Sequence, residues 1–143
     1  MTKYVLSLDG GGVRGLASAN FLRKLEYEMH KPLLEKFDLV CGSSTGGILA
    51  IALSVLKLNG SRLVNIYSSR NLKRIFSSSM PRLVGPKYGG RRKNNVLREY
   101  FGALTLNEAD TPAIAVSYDL KKRSTRLFKT FEDKHLKAWK VAS

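Results

Sequence analysis

The chain has 143 residues, 43% of them hydrophobic, with 25 lysines and arginines against 11 acids and a formal net charge of +14. That length supports one core and is too short for two ordinary domains, so residues 1–143 are expected to form a single domain or part of one. The longest apolar stretch, Ile48 to Leu58, is interrupted by Ser54 and Lys57 and falls short of the roughly 20 residues of a membrane span, while the lone Cys41 excludes an internal disulfide.

The first predicted strand is Tyr4 to Leu8, entered without a basic n-region, an apolar h-region or a cleavage site, which leads us to expect no secretory signal and a cytoplasmic location. It runs into Asp9-Gly10-Gly11-Gly12-Val13-Arg14-Gly15 and then a helix from about Arg14 to Met29, with Phe21, Leu22, Leu25 and Met29 on one face. Consecutive glycines ahead of a helix leave backbone N–H groups unpaired, and the helix N-terminus adds partial positive charge. Such a loop binds anions, and in acyl transfer the anion is the oxygen of a tetrahedral intermediate. Asp9 is expected to brace the loop by accepting its N–H groups. Arg14 is unfavourable to the helix dipole where it stands, which favours a role beside the loop.

The second predicted strand, Phe37 to Cys41, leads into Gly42-Ser43-Ser44-Thr45-Gly46-Gly47 and an all-round apolar helix from Thr45 to Leu58. This is a G-x-S-x-G match in the strand-to-helix context that gives the pattern chemical meaning. A sharp turn there crowds the backbone, so the residues two before and two after the serine must be small and the hydroxyl is pushed outward. Ser44 is thus the candidate nucleophile, with Gly42, Ser43, Thr45 and Gly46 as its elbow and Cys41 as a small buried side chain beneath.

After an Asn59-Gly60 break, helix is expected from Arg62 to Ser69, a long loop from Ser77 to Asn94, and helix again from Asn95 to Phe101. Ala113 to Tyr118 and Thr125 to Lys129 read as strands joined by the basic turn Asp119 to Ser124, and His135 to Ala142 as a short helix. This alternation implies an α/β layered fold with a mainly parallel central sheet flanked by helices. Both glycine loops would fall at the C-terminal ends of strands, where open α/β sheets place their sites. His30 and His135 could complete a serine triad in principle, yet no motif places either. No His, Cys, Asp and Glu spacing indicates a metal, and no cofactor is expected.

The glycine loop Asp9 to Gly15 and the elbow Phe37 to Gly47 resemble the patatin-like phospholipases, lipid acyl hydrolases that include calcium-independent phospholipases A2. Pro86-Lys87-Tyr88, Asn95 to Gly102, Ala115 to Leu120 and Leu127-Phe128 look like later blocks of the same family. The resemblance implies Ser44 as nucleophile, Gly10, Gly11, Gly12 and Arg14 as the oxyanion region, a phospholipid or other acyl-lipid substrate, and chemistry without calcium. It also implies a Ser–Asp dyad whose aspartate lies in a D-G-G or D-G-A motif after the elbow. Here the one Asp-Gly pair is Asp9-Gly10; Asp38, Asp110, Asp119 and Asp133 are not followed by glycine. Val141-Ala142-Ser143 resembles the beginning of the segment that precedes the dyad aspartate. The chain is therefore expected to be the N-terminal part of such a domain, without its dyad aspartate, and inactive alone. Truncation of a parallel sheet would leave apolar surface and an unprotected edge, favouring self-association.

Between Asp38 and Glu99 there is no acid and there are 11 basic residues, among them Arg70, Lys73, Arg74, Arg82, Lys87 and Arg91-Arg92-Lys93. An anionic membrane surface suits that charge and a lipid hydrolase; an acidic remainder that balances the charge is the other reading. A catalytically dead lipid-binding module is the main alternative function. Gly10 to Gly15 also satisfies the dinucleotide fingerprint G-x-G-x-x-G, but the acid expected at the C-terminal end of the second strand is absent, Asp38 standing near its beginning. Nucleic acid is not an expected partner, because no zinc spacing, aromatic platform or helix-turn-helix pattern accompanies the basic residues.

Overall fold

A computed structural model describes residues 2–68, 71 and 90–142. Its sheet has four strands in the order β1 (Val5–Leu8), β2 (Leu39–Ser43), β3 (Ala113–Asp119) and β4 (Ser124–Lys129). The first three are parallel, and β4 returns antiparallel from a hairpin. Side chains alternate across the sheet, so the register that aligns Leu6, Val40 and Ala113 puts all three on one buried face. The opposite face carries Val5, Cys41, Ile114, Val116 and Leu127, each exposed or half-buried.

Five helices accompany the sheet among the described residues: α1 (Gly15–Met29), α2 (Thr45–Leu56), α3 (Gly60–Ile66), α4 (Gly90–Phe101) and α5 (Ala138–Ala142). The central one is α2, which packs on β1, β2 and β3. Leu49, Ile51 and Leu53 on it are fully buried, and together they favour folding by about 5–9 kcal/mol relative to exposure. A buried hydroxyl in such a helix needs a partner. Ser54 supplies its own, donating to the Thr111 carbonyl, while the Asp110 N–H donates to the Ser54 carbonyl at 3.1 Å. These bonds tie α2 to the start of β3.

A second layer is built by α1 and α3. Gly60 has no Cβ because one would stand 2.3 Å from the Arg23 Cα, so glycine permits the close crossing of the two helices. Glu26 on α1 accepts the Gly60 N–H at 2.7 Å, and the Asn59 side chain accepts the Arg62 N–H at 2.9 Å. Two of the first-turn donors of α3, the Gly60 and Arg62 N–H groups, are thereby satisfied.

The layered α/β fold agrees with the expectation from sequence, while several boundaries differ. The buried stripe of α1 is Gly15, Ala19 and Leu22, and Phe21 is 62% exposed. Phe21 stands about 100° around the helix from Leu22, off the packed face. β2 begins and ends two residues later than Phe37 to Cys41, because Gly42 and Ser43 pair with Ala115 and Val116. α2 stops at Leu56, where Lys57 turns left-handed with φ 54°. Residues 90–94 are helical where a loop was expected. The last helix begins at Ala138 rather than His135, since Lys137 bridges to Thr105 and residues 133–136 form turns. The helix expected from Arg62 to Ser69 runs instead from Gly60 to Ile66, where Tyr67 and Ser68 donate to the Val64 and Asn65 carbonyls and tighten the last turn. The expected loop from Ser77 lies largely outside the described residues, as do Pro86-Lys87-Tyr88 and most of the basic cluster, Arg70, Lys73, Arg74, Arg82, Lys87 and the side chains of Arg91-Arg92-Lys93.

Candidate active site

The last residue of β1, Leu8, lies beside Gly42, one residue before the end of β2, so the loops that follow them emerge side by side. One residue, Ser44, separates β2 from α2, and its backbone has φ 52° and ψ −123°. A non-glycine residue in that region costs about 1–3 kcal/mol and persists only where its surroundings impose it. Gly42 and Gly46 make the turn feasible: a Cβ on Gly42 would stand 2.3 Å from the Gly46 carbonyl carbon, and one on Gly46 would stand 2.0 Å from the Leu8 carbonyl oxygen. Ser44 is exposed, and its side chain makes no capping hydrogen bond to α2. Its backbone carbonyl accepts the Ile48 N–H at 3.1 Å. The hydroxyl is thus turned outward and not used to begin the helix.

The glycine loop meets this turn directly. A Cβ on Gly10 would lie 2.9 Å from both Ser44 Cβ and the Ser43 carbonyl oxygen. Gly12 has φ 58°, a conformation glycine adopts at little cost, and opens the 3-10 turn Gly12–Arg14 that feeds α1. Arg14 donates its N–H to the Gly11 carbonyl at 3.1 Å, and its side chain folds back so that Nε would be 3.4 Å from a Cβ on Gly11. The sequence-derived candidates Gly10, Gly11, Gly12, Arg14, Gly42, Ser43, Ser44, Thr45 and Gly46 therefore come together at one end of the sheet.

One neighbour was not visible in the sequence pattern. Tyr67, just after α3, is only 5% exposed and packs its ring on the α1 entry, where a Cβ on Gly15 would stand 2.3 Å from the phenol oxygen. Burial pushes the phenol up to about 12, while the Thr45 hydroxyl beside it pulls weakly the other way. Neither hydroxyl completes a hydrogen bond of ordinary geometry among the described residues. The Tyr67 ring thus touches the starts of the two helices that follow the glycine loop and the elbow.

Asp9 opens the glycine loop, its carbonyl oxygen 2.9 Å from where a Cβ on Gly46 would stand, whereas both histidines and Asp38, Asp110 and Asp133 lie away from Ser44. α1 begins at the site and runs 15 residues, which carries its C-cap His30 about 22 Å away. His135 sits beside Leu136, whose carbonyl accepts the Leu106 N–H at 2.9 Å near the start of β3, again at the far end. Asp38 also lies there, before β2; hydrogen bonds from Lys3 and then the Tyr4 N–H hold its carboxyl below the usual range. Asp110 pairs with Lys57, and Asp133 with Arg126. Among the described residues no group of three His, Cys, Asp or Glu side chains is arranged to hold a metal, and no helix is long and apolar enough to cross a membrane. A groove of about 460 Å³ between Glu26, Leu33, Lys57 and Asp110 opens at the end opposite Ser44.

Parallel strands that end on a glycine loop and a strained serine turn define an α/β protein with an elbow-type site. The patatin-like phospholipase family profile matches residues 6–142, and the chain belongs to that family. It is 32% identical to patatin-like protein 2 of Oryza sativa subsp. indica over 153 aligned positions, covering 92% of this chain and 38% of the relative. It is 32% identical to patatin group A-3 of Solanum tuberosum, covering 87% of this chain and 35% of that one. Phospholipase A I of Arabidopsis thaliana is 44% identical over 78 residues, which are 54% of this chain and 6% of that protein. The chain thus spans little more than a third of the patatin relatives. Among solved structures, the type III effector protein ExoU superposes with a TM-score of 0.61 over 98% of this chain and 38% of its own, at 13% identity, a likeness of fold.

Proposed function

We propose that the chain is the nucleophile-bearing part of a lipid acyl hydrolase of phospholipase A type. The observation that carries this is the outward, uncapped Ser44 at φ 52° with Gly10 packed against its Cβ. In this reading Ser44 Oγ attacks the ester carbonyl carbon and its proton passes to a carboxylate base. The resulting oxyanion is held by N–H groups of Gly10, Gly11 and Gly12, each such donor being worth about 3 kcal/mol in the transition state. Arg14, folded over Gly11, adds positive potential. Collapse of the tetrahedral species expels the lysolipid alkoxide, which takes the proton, and water then releases the fatty acid from Ser44.

The carboxylate in this reading is a dyad aspartate supplied from outside the chain. Two observations support that: the chain spans 38% of its patatin-like relative, and of the aspartates other than Asp9 of the glycine loop, Asp38, Asp110 and Asp133 are engaged away from Ser44 while Asp119 accepts N–H groups of its own turn. A missing general base typically costs about 10²–10⁴-fold. Hydrolysis of a short-chain aryl ester near pH 7 should therefore be slow, should rise when acetate is added as a surrogate base, and should lose that acetate-dependent part in Ser44→Ala. Rapid turnover that vanishes in Ser44→Ala would overturn the missing base. Rates identical in the two proteins at every acetate concentration would leave a lipid-binding module without catalysis.

A further inference from the structure

The β3–β4 hairpin has a composition that neither the fold nor the elbow chemistry uses. β3 runs three residues past Val116, the partner of Ser43, which puts the turn about 10 Å beyond the level of the elbow, at the same end of the sheet. At its tip Leu120 is 82% exposed, and Tyr118 below it is 56% exposed. Lys121, Lys122 and Arg123 follow directly and are exposed as well. The one acid of the turn, Asp119, is directed inward, accepting the Lys121 and Lys122 N–H groups at 2.9 and 3.0 Å. Arg123 stands at φ 50°, where glycine or asparagine would be unstrained.

The geometry points to this hairpin as an interfacial anchor for an anionic lipid bilayer: Leu120 and Tyr118 enter the headgroup boundary, Lys121, Lys122 and Arg123 meet lipid phosphates and carboxylates, and Ser44 is brought to face the surface. An exposed leucine and tyrosine ringed by cations is the pattern of a segment that lies in an interface, the apolar groups supplying burial and the cations electrostatic attraction. A water-soluble acidic partner would use the cations but leave Leu120 unexplained; a second copy of this chain, itself strongly positive, would repel them. The anchor rests on the lipid-hydrolase reading for its purpose, though not for its detection, since vesicle binding is measured without turnover.

Co-sedimentation of the chain with phosphatidylcholine vesicles, with and without phosphatidylserine, tests the inference. The wild type should bind the anionic vesicles and release them at high salt. Leu120→Asp should weaken binding about tenfold or more. Lys121→Glu with Lys122→Glu should lose at least about fivefold per cation. Arg123→Gly is the diagnostic variant, because relief of its backbone should raise the melting temperature while binding falls about fivefold. Lys31→Glu, the reversal of one lysine at the far end beyond α1, should bind as the wild type does. The anchor is overturned if the wild type ignores anionic vesicles, if the hairpin variants bind unchanged, if Lys31→Glu loses as much as they do, or if the hairpin variants instead abolish an oligomer seen by light scattering. Ser44→Ala should bind vesicles normally, so that a failure of the catalytic proposal and a failure of the anchor are separable.

Discussion

Gly46→Ala probes the contact on which the site depends. The added Cβ would start 2.0 Å from the Leu8 carbonyl oxygen and 2.9 Å from that of Asp9, both backbone atoms that cannot rotate away. A carbon–oxygen contact needs about 3.3 Å, so the first turn of α2 must retreat from β1 by about 1.3 Å. Overpacking of this kind costs about 3 kcal/mol. With about 2.1 cal/mol/K of unfolding entropy per residue over this chain, that corresponds to a fall of about 10 °C in melting temperature. The same retreat separates Ser44 from Gly10, and a displacement near 1 Å costs about 10²-fold in a positioned reaction. Gly102→Ala supplies the reference: Gly102 has φ 53° and nothing within 4 Å of its absent Cβ. It should therefore show backbone strain alone, about 1 kcal/mol or about 3 °C. Differential scanning calorimetry of the two variants decides the matter. If Gly46→Ala costs no more than Gly102→Ala, the elbow does not press on β1 as described.

Further outcomes follow from the same geometry. Ser44→Gly should raise the melting temperature by about 3 °C, because glycine relieves a strained φ of 52°, a gain of about 1 kcal/mol after its own entropic penalty. Ser44→Ala keeps the Cβ and should show no such rise; equal effects in the two variants would remove the strain argument. Tyr67, with its pKa raised to about 12 by burial, binds its proton more tightly folded than unfolded. Its contribution to stability is intact below about pH 10 and is lost as pH rises toward 12, a fall of about 3 kcal/mol. Urea unfolding from pH 9 to 12 should accordingly give a shallower pH dependence for Tyr67→Phe than for the wild type; coincident curves would mean that the phenol ionises freely. Below pH 9 Tyr67→Phe should change stability by less than about 1 kcal/mol, since the lost hydroxyl has no hydrogen bond of ordinary geometry. A larger loss in a thermal melt would show that the Thr45 and Tyr67 hydroxyls are bonded to each other.

The parts of the site legible in the sequence were those where sterics leave little choice. Gly42 and Gly46 flank a serine between an apolar strand and an apolar helix, and the structure brings their backbones within a methyl's width of Gly46 and Leu8. Gly10 was legible as part of a loop but not as the residue pressed against Ser44, because that closeness depends on β1 and β2 being neighbours. Boundaries failed where tertiary pairing decided them: β2 extends through Ser43 because β3 lies alongside. The Phe21 expectation failed because an apolar residue next to the buried stripe looks the same in sequence as one within it. Thr105 and Glu108 carried a local signal that went unused. Their T-x-x-E spacing is a capping box, and Glu108 accepts the Thr105 N–H at 2.9 Å. Tyr67 carried no local signal, since its position against Gly15 and Thr45 arises only when α3 packs on α1.

Mass spectrometry of the fluorophosphonate-treated chain tests the central claim most directly. The account predicts a single phosphonyl adduct on the peptide from Phe37 to Lys57, assigned to Ser44, forming faster as acetate is raised and absent from Ser44→Ala. An adduct on another residue, or equal labelling of Ser44→Ala, would contradict it.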